Sequence, residues 1–203
     1  MQGSGPASLS ARDLACRRGD RLLFRGLSFD LGAGEALHVT GANGSGKTTL
    51  IRALAGLMTP LAGDVSHKGA IGLADERLAL DPDKPLEKAL GFWFGVDNTA
   101  NSKGIMASMR LGELAEVPVR YLSTGQRKRA GLARLIGQNA PIWLLDEPLS
   151  GLDTASQDMV IALLSEHCAK GGIAFIASHQ PLAIPGLQTL AIEDFAPAPE
   201  RME

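Results

Sequence analysis

Gly41-Ala-Asn-Gly-Ser-Gly-Lys-Thr48 is the stretch that decides the reading of this chain. Its glycines free the backbone to wrap, so that successive N–H groups and the start of a following helix can face a polyphosphate. Lys47 adds a mobile positive charge, and Thr48 offers a hydroxyl placed for Mg²⁺. A flexible glycine-rich surface turn is the alternative, but a chance match to the four fixed positions over a chain of this composition is on the order of 1%. The context also fits. An apolar run, Ala36 to Thr40, precedes the loop, and after Gly46 the residues Leu50, Ile51, Leu54, Ala55 and Leu57 are spaced to bury one helix face, with Pro60 as the stop.

Outward from the loop, Leu9 to Cys16 and Leu22 to Leu31 read as strands separated by glycine-containing turns. Asp81 to Pro118 is mixed and helical, with no strand-like alternation, and reads as a small helical subdomain inserted into an α/β body. Ser123 to Gln138 reads as a helix, Pro141 to Leu145 as a buried strand, Thr154 to Lys170 as a helix closed by Gly171 and Gly172, and Ile173 to Ala177 as another buried strand. The fold class is therefore α/β: a parallel sheet carrying a phosphate-binding loop, in one domain spanning 1–203. The Pro/Ala/Glu-rich tail at 196–203 and the lead-in MQGSGPASLSARD read as loose.

Ile142-Trp-Leu-Leu-Asp-Glu147 is an apolar strand ending in two adjacent carboxylates. Strand side chains alternate faces, so Asp146 can aim at a Mg²⁺ shell while Glu147 is offered to an attacking water as general base; a solvated strand end is the bland alternative. Leu122-Ser-Thr-Gly-Gln126 opens a helix, and its Ser hydroxyl with the helix N-terminal amides reads equally well as an anion site or as a plain N-cap.

The bulk numbers narrow the partners. With 203 residues, 45% hydrophobic and 21% charged, the chain suits one compact domain. A net charge of -2 gives no basic field, so nucleic acid is not an expected partner. Cys16 and Cys168 have no CxxC spacing, and the start of the chain lacks a signal peptide's basic and apolar regions, which together fit a reducing compartment rather than secretion. Gly171 to Ile192 is free of Asp, Glu, Lys and Arg, yet Pro181, Pro185 and Ser178-His-Gln180 make it a strand, a loop and a second short strand rather than a membrane span.

Together these stretches resemble the ABC (ATP-binding cassette) ATPase family over nearly the whole chain, Leu9 to Asp194. GANGSGKT resembles the Walker A loop, which implies nucleotide contacts from Gly41, Ala42, Asn43, Gly44, Ser45, Gly46, Lys47, Thr48 and Thr49. LSTGQ is similar to the family signature, implying that Ser123, Gly125 and Gln126 act in trans. IWLLDEP resembles the Walker B strand with catalytic Glu147, SGLD the D-loop, and His179 in ASHQP the switch histidine. ATP and Mg²⁺ are the implied cofactors, with Thr48 and Asp146 as metal ligands. Two positions depart from the pattern: the residue that stacks on adenine falls on Arg18, leaving the guanidinium or a neighbour such as Phe24, and the Q-loop glutamine is missing from ADERLALDP, with Glu76 nearest.

The resemblance implies head-to-tail pairing of two cassettes, hence a homodimer or a paired ABC ATPase subunit, separate transmembrane permease subunits, and a peripheral position on the cytoplasmic face of the inner membrane. Within the family, PVRYLSTGQRKRAGLARL with the upstream KALGFWF resembles the haem-exporter ATPases of bacterial cytochrome c maturation. Trp93 and Phe94 read as a core cluster of the helical subdomain, and Arg127-Lys-Arg129 as a solvated helix face. The rival readings are another ABC exporter, a non-transport ABC ATPase, and a small P-loop metabolite kinase. LSTGQ, DEP and the late His179 argue against the kinase.

Overall fold

The computed structural model of the protein describes residues 5–197. Three strands, β1 (Ser8–Arg18), β2 (Arg21–Gly32) and β4 (Ala62–Lys68), form an antiparallel sheet in the order β2-β1-β4. The others, β3 (Ala36–Thr40), β5 (Ile71–Ala74), β6 (Ile142–Asp146), β7 (Ile173–Ala177) and β8 (Gln188–Ala191), form a parallel sheet in the order β5-β6-β7-β3-β8.

The central parallel strands β3, β6 and β7 are buried on both faces, and their alternation divides the core in two. Ile142 and Leu144 of β6 and Ile173 and Phe175 of β7 join Leu14, Phe24 and Leu27 of the antiparallel sheet and Leu50, Ile51 and Leu54 of α1 (Lys47–Leu54). The intervening Trp143, Leu145, Ala174 and Ile176 face α4 (Thr124–Gly137) and α5 (Thr154–Ala169). The helical subdomain, α2 (Leu86–Val96) and α3 (Ser102–Ser108), packs on that second side through Leu86, Leu90, Phe94 and Met106. Phe94 seats against α4 where Gly137 leaves room: a Cβ there would lie 2.6 Å from the Phe94 ring. Phe94 is thus core, as the sequence suggests. Trp93 bridges, donating its indole N–H to Ala79 O at 2.6 Å while Arg134 stacks 4.1 Å from its ring centre.

Several sequence expectations are corrected. Ser8 to Asp13 of the lead-in belong to β1 rather than to a loose segment; the tail from 198 on lies outside the described residues. Helix α1 stops at Leu54, because Gly56 takes the left-handed conformation at φ +69 and the N–H groups of Gly56 and Leu57 return to the carbonyls of Ala53 and Arg52. Leu57 is consequently exposed instead of lying on the buried face. β4 has no counterpart in the sequence reading. It is an edge strand with six of its seven residues exposed, so it lacks the apolar alternation that identifies a strand.

Candidate active site

The loop between β3 and α1 and the end of β6 converge on one cavity of about 350 Å³ at the carboxyl edge of the parallel sheet. Its walls include Asn43, Gly44, Gly46, Lys47, Thr48 and Thr49 from the loop and Asp146 and Glu147 from the strand end. Gly41, Ala42 and Ser45 complete the loop behind that wall. Gly46 has φ +114, and a Cβ there would come within 3.1 Å of the Phe24 ring, so both backbone and space call for glycine.

Lys47 is buried and folded back into its own loop, with Nζ donating to Gly41 O at 2.6 Å and Ala42 O at 3.3 Å and lying 3.8 Å from Glu147 Oε1. Thr48 Oγ1 donates to Asp146 Oδ2 at 2.7 Å. Burial pushes the Asp146 carboxyl above its ordinary pKa, and the Thr48 hydrogen bond opposes that shift. A hydroxyl and a carboxylate in contact, open to a cavity, fit Mg²⁺, which takes one or two protein oxygens and fills its remaining positions with phosphate and water. That also explains why no group of three or more His, Cys, Asp or Glu suited to a metal occurs among the described residues.

Glu147 follows β6 in a left-handed conformation, φ +49, with its N–H on Ala177 O at 2.8 Å. Its carboxylate accepts from His179 N at 3.2 Å, His179 Nδ1 at 2.8 Å and Ser178 Oγ at 3.3 Å. The structure therefore brings together Lys47, Thr48, Asp146, Glu147 and His179. Carboxylate, imidazole and ammonium in one cluster suit the orientation of a water against a phosphoryl group held by the loop.

The signature residues are elsewhere. Ser123 caps α4, accepting from Gln126 N at 3.2 Å, while Gln126 Oε1 accepts from Ser123 N at 2.8 Å, so the N-cap reading of the pentapeptide is the one the geometry displays. Gly125 lies where a Cβ would come 3.2 Å from Gly151 O. None of the three lines the cavity of this chain.

Arg18 does line it, together with Arg52, Arg77 and Glu76. Phe24 does not, and its proposed stacking on a base is ruled out: the ring is fully buried beneath the loop. The solvated face assigned to Arg127-Lys-Arg129 holds only for Arg127. Lys128 Nζ donates to Glu147 O at 2.6 Å, and Arg129 Nη1 donates to Met109 O and Arg110 O at 3.0 Å. Sequence reasoning also missed Glu193, whose Oε1 accepts from Ala42 N at 2.5 Å and steadies the loop from behind. No local motif marks it.

Residues 24–150 match the family described as ABC transporter. A cytochrome c biogenesis ATP-binding export protein, CcmA, from Novosphingobium aromaticivorans is 57% identical over 189 residues, covering 93% of this chain and 97% of that protein. The CcmA of Zymomonas mobilis is 51% identical, covering 94% and 87%. Among solved structures, a metal-chelate type ABC transporter in an inward-facing conformation superposes with a TM-score of 0.76 at 28% identity, over 92% of this chain and 80% of that one. An ABC transporter ATP-binding protein from Pyrococcus furiosus gives 0.80 at 24% identity, over 94% and 100%, and supports the fold. This chain belongs to the ABC transporter ATP-binding family, among the CcmA cytochrome c biogenesis ATP-binding export proteins.

Proposed function

We propose that this chain is the ATP-hydrolysing subunit of an exporter that serves cytochrome c biogenesis, with haem as the cargo. It works as a twofold pair of cassettes, peripheral on the cytoplasmic face of the inner membrane, beneath separate permease subunits. The observation that carries this reading is the 57% identity to the Novosphingobium export protein over 97% of that protein's length. Among the described residues no helix is long and apolar enough to cross a membrane, and the reading gives the spanning segments to the permease.

Chemically, the loop amides and Lys47 hold the ATP phosphates, while Thr48 and Asp146 would hold Mg²⁺, which when bound neutralises charge on the β- and γ-phosphate oxygens. Glu147 orients water and accepts its proton. His179 fixes the Glu147 carboxylate and contacts the γ-phosphate. Ser123, Gly125 and Gln126 serve the partner cassette's nucleotide, so neither cassette turns over alone. Arg18, Arg52 and Arg77 surround the cavity with positive charge suited to the polyphosphate.

The helical subdomain is the permease contact in this reading, and α2 presents Phe92 and Val96 there, 62% and 57% exposed. The test is purification of the tagged protein from detergent-solubilised membranes with identification of what accompanies it. A polytopic membrane protein in comparable amount is expected, and Glu87→Lys, at an exposed α2 position, should weaken that recovery while leaving the isolated ATPase unchanged. Recovery of the chain alone, or with ribosomes, overturns the transport reading.

A further inference from the structure

The turn that aims Glu147 is itself held from an unexpected direction. A left-handed conformation is costly for a residue with a Cβ, and Glu147 keeps it at φ +49 with both flanking backbone groups engaged. Its N–H is taken by Ala177 O of β7 at 2.8 Å, and its carbonyl accepts from Lys128 Nζ at 2.6 Å. Lys128 is half-buried on α4; burial holds its pKa below the ordinary lysine value, and the carboxylates of Glu76, Asp146, Glu147 and Asp75 oppose that shift. It stands five residues, or about 7.5 Å of helix rise, from the capping residue Ser123 at the start of the same helix.

We propose that Lys128 is a positioning residue of the hydrolytic site. By donating to the Glu147 carbonyl it fixes the turn that carries the carboxylate to His179. By standing on α4 it ties that aim to the helix end that reaches the partner cassette's nucleotide. A helix is rigid over one and a half turns, so a displacement of Ser123 on closure moves Lys128 with it. The catalytic glutamate of one cassette thereby responds to the nucleotide bound at the other.

This inference rests on the assignment of Glu147 as the base, and the experiment separates the two. ATP turnover, KM for ATP and nucleotide-dependent dimerisation are measured on purified wild type, Lys128→Met, Lys128→Arg, Glu147→Gln and the Lys128→Met/Glu147→Gln pair. Loss of a charge-assisted hydrogen bond that acts through Glu147 should cut kcat about tenfold in Lys128→Met with KM within about twofold. Lys128→Arg, which keeps charge and donors, should recover most of the rate. Lys128→Met should lose nothing further in the Glu147→Gln background, and it should accumulate the ATP-bound dimer. If circular dichroism shows Lys128→Met unfolded, Lys128→Gln replaces it with the same expected split. The proposal is overturned if kcat is unchanged, or if kcat, ATP affinity and dimerisation fall together, as loosening of α4 would cause. Wild-type turnover in Glu147→Gln overturns the base assignment itself, and this inference with it.

Discussion

His179 donates its Nδ1–H to Glu147 Oε2 at 2.8 Å, while the backbone N–H of the same histidine reaches Oε1 at 3.2 Å. Two donors from one residue leave the carboxylate a single orientation, turned toward the cavity that holds Thr48 and Asp146. Glu147→Gln should bind ATP but hydrolyse it about 10²- to 10⁴-fold more slowly, and should elute as an ATP-bound dimer in size exclusion. His179→Ala should slow turnover about tenfold or more with smaller change in ATP binding. Wild-type turnover in either variant removes that residue from the mechanism.

With Phe24 buried, Arg18 remains as the side chain at the position where an aromatic ring normally meets the base, and a guanidinium plane stacks on any base. GTP should therefore compete with labelled ATP to within about tenfold, or about 1.4 kcal/mol. A larger preference for ATP would mean that another residue reads the base.

Glu193 offers a test with opposed signs. Its carboxylate near the phosphate loop repels ATP by simple electrostatics, so removing it should lower KM if charge dominates. If its contact with Ala42 N holds the loop in shape, Glu193→Ala should instead raise KM about three- to tenfold, with Glu193→Gln closer to wild type. We expect the rise; a lower or unchanged KM contradicts the positioning of the loop by Glu193.

Stability should depend on pH through His167, which lies stacked on Trp143 with ring centres 3.7 Å apart and planes 8° from parallel. Burial holds its pKa below the ordinary 6.5. The unfolded chain therefore takes up the proton first, and stability should fall as pH drops from about 6.5 toward the folded value, with this contribution flat above. His167→Phe keeps a stacked ring without the titration. Between about pH 7.5 and pH 5, its Tm should fall by about 2 °C less than that of the wild type in thermal melts. Parallel curves would assign the acid sensitivity to other groups.

How far the fold was legible follows from where the signals lie. The loop at Gly41–Thr48 and the strand ending in Asp146 and Glu147 are local, written in glycine, apolar residues and adjacent carboxylates. The structure puts the loop between β3 and α1 and ends β6 at Asp146, with Glu147 on the left-handed turn beyond rather than on the strand, and both stretches line one cavity. β4 was invisible because its pairing with β1 is a backbone matter: Gly63, at φ +81, lies so close that a Cβ would meet Arg12 O at 2.3 Å, yet the strand carries hardly any buried side chain. Glu193 and Lys128 were invisible for a different reason. Each makes its contact across the chain, 151 and 19 residues from its partner, through a charged side chain that composition assigns to solvent. Phe24 illustrates the reverse error, since a strand aromatic near a predicted base site is as readily a core residue, and here it supports Gly46 from below.

If ATP hydrolysis at Glu147 drives cytochrome c biogenesis, covalent haem on periplasmic c-type cytochromes reads that link directly. A strain deleted for this chain is complemented with the wild type or with Glu147→Gln, and the cytochromes are scored by in-gel haem staining. Staining should be lost in the deletion, restored by the wild type and absent with Glu147→Gln despite equal protein level. Normal staining in the deletion strain, or full rescue by Glu147→Gln, would contradict that link.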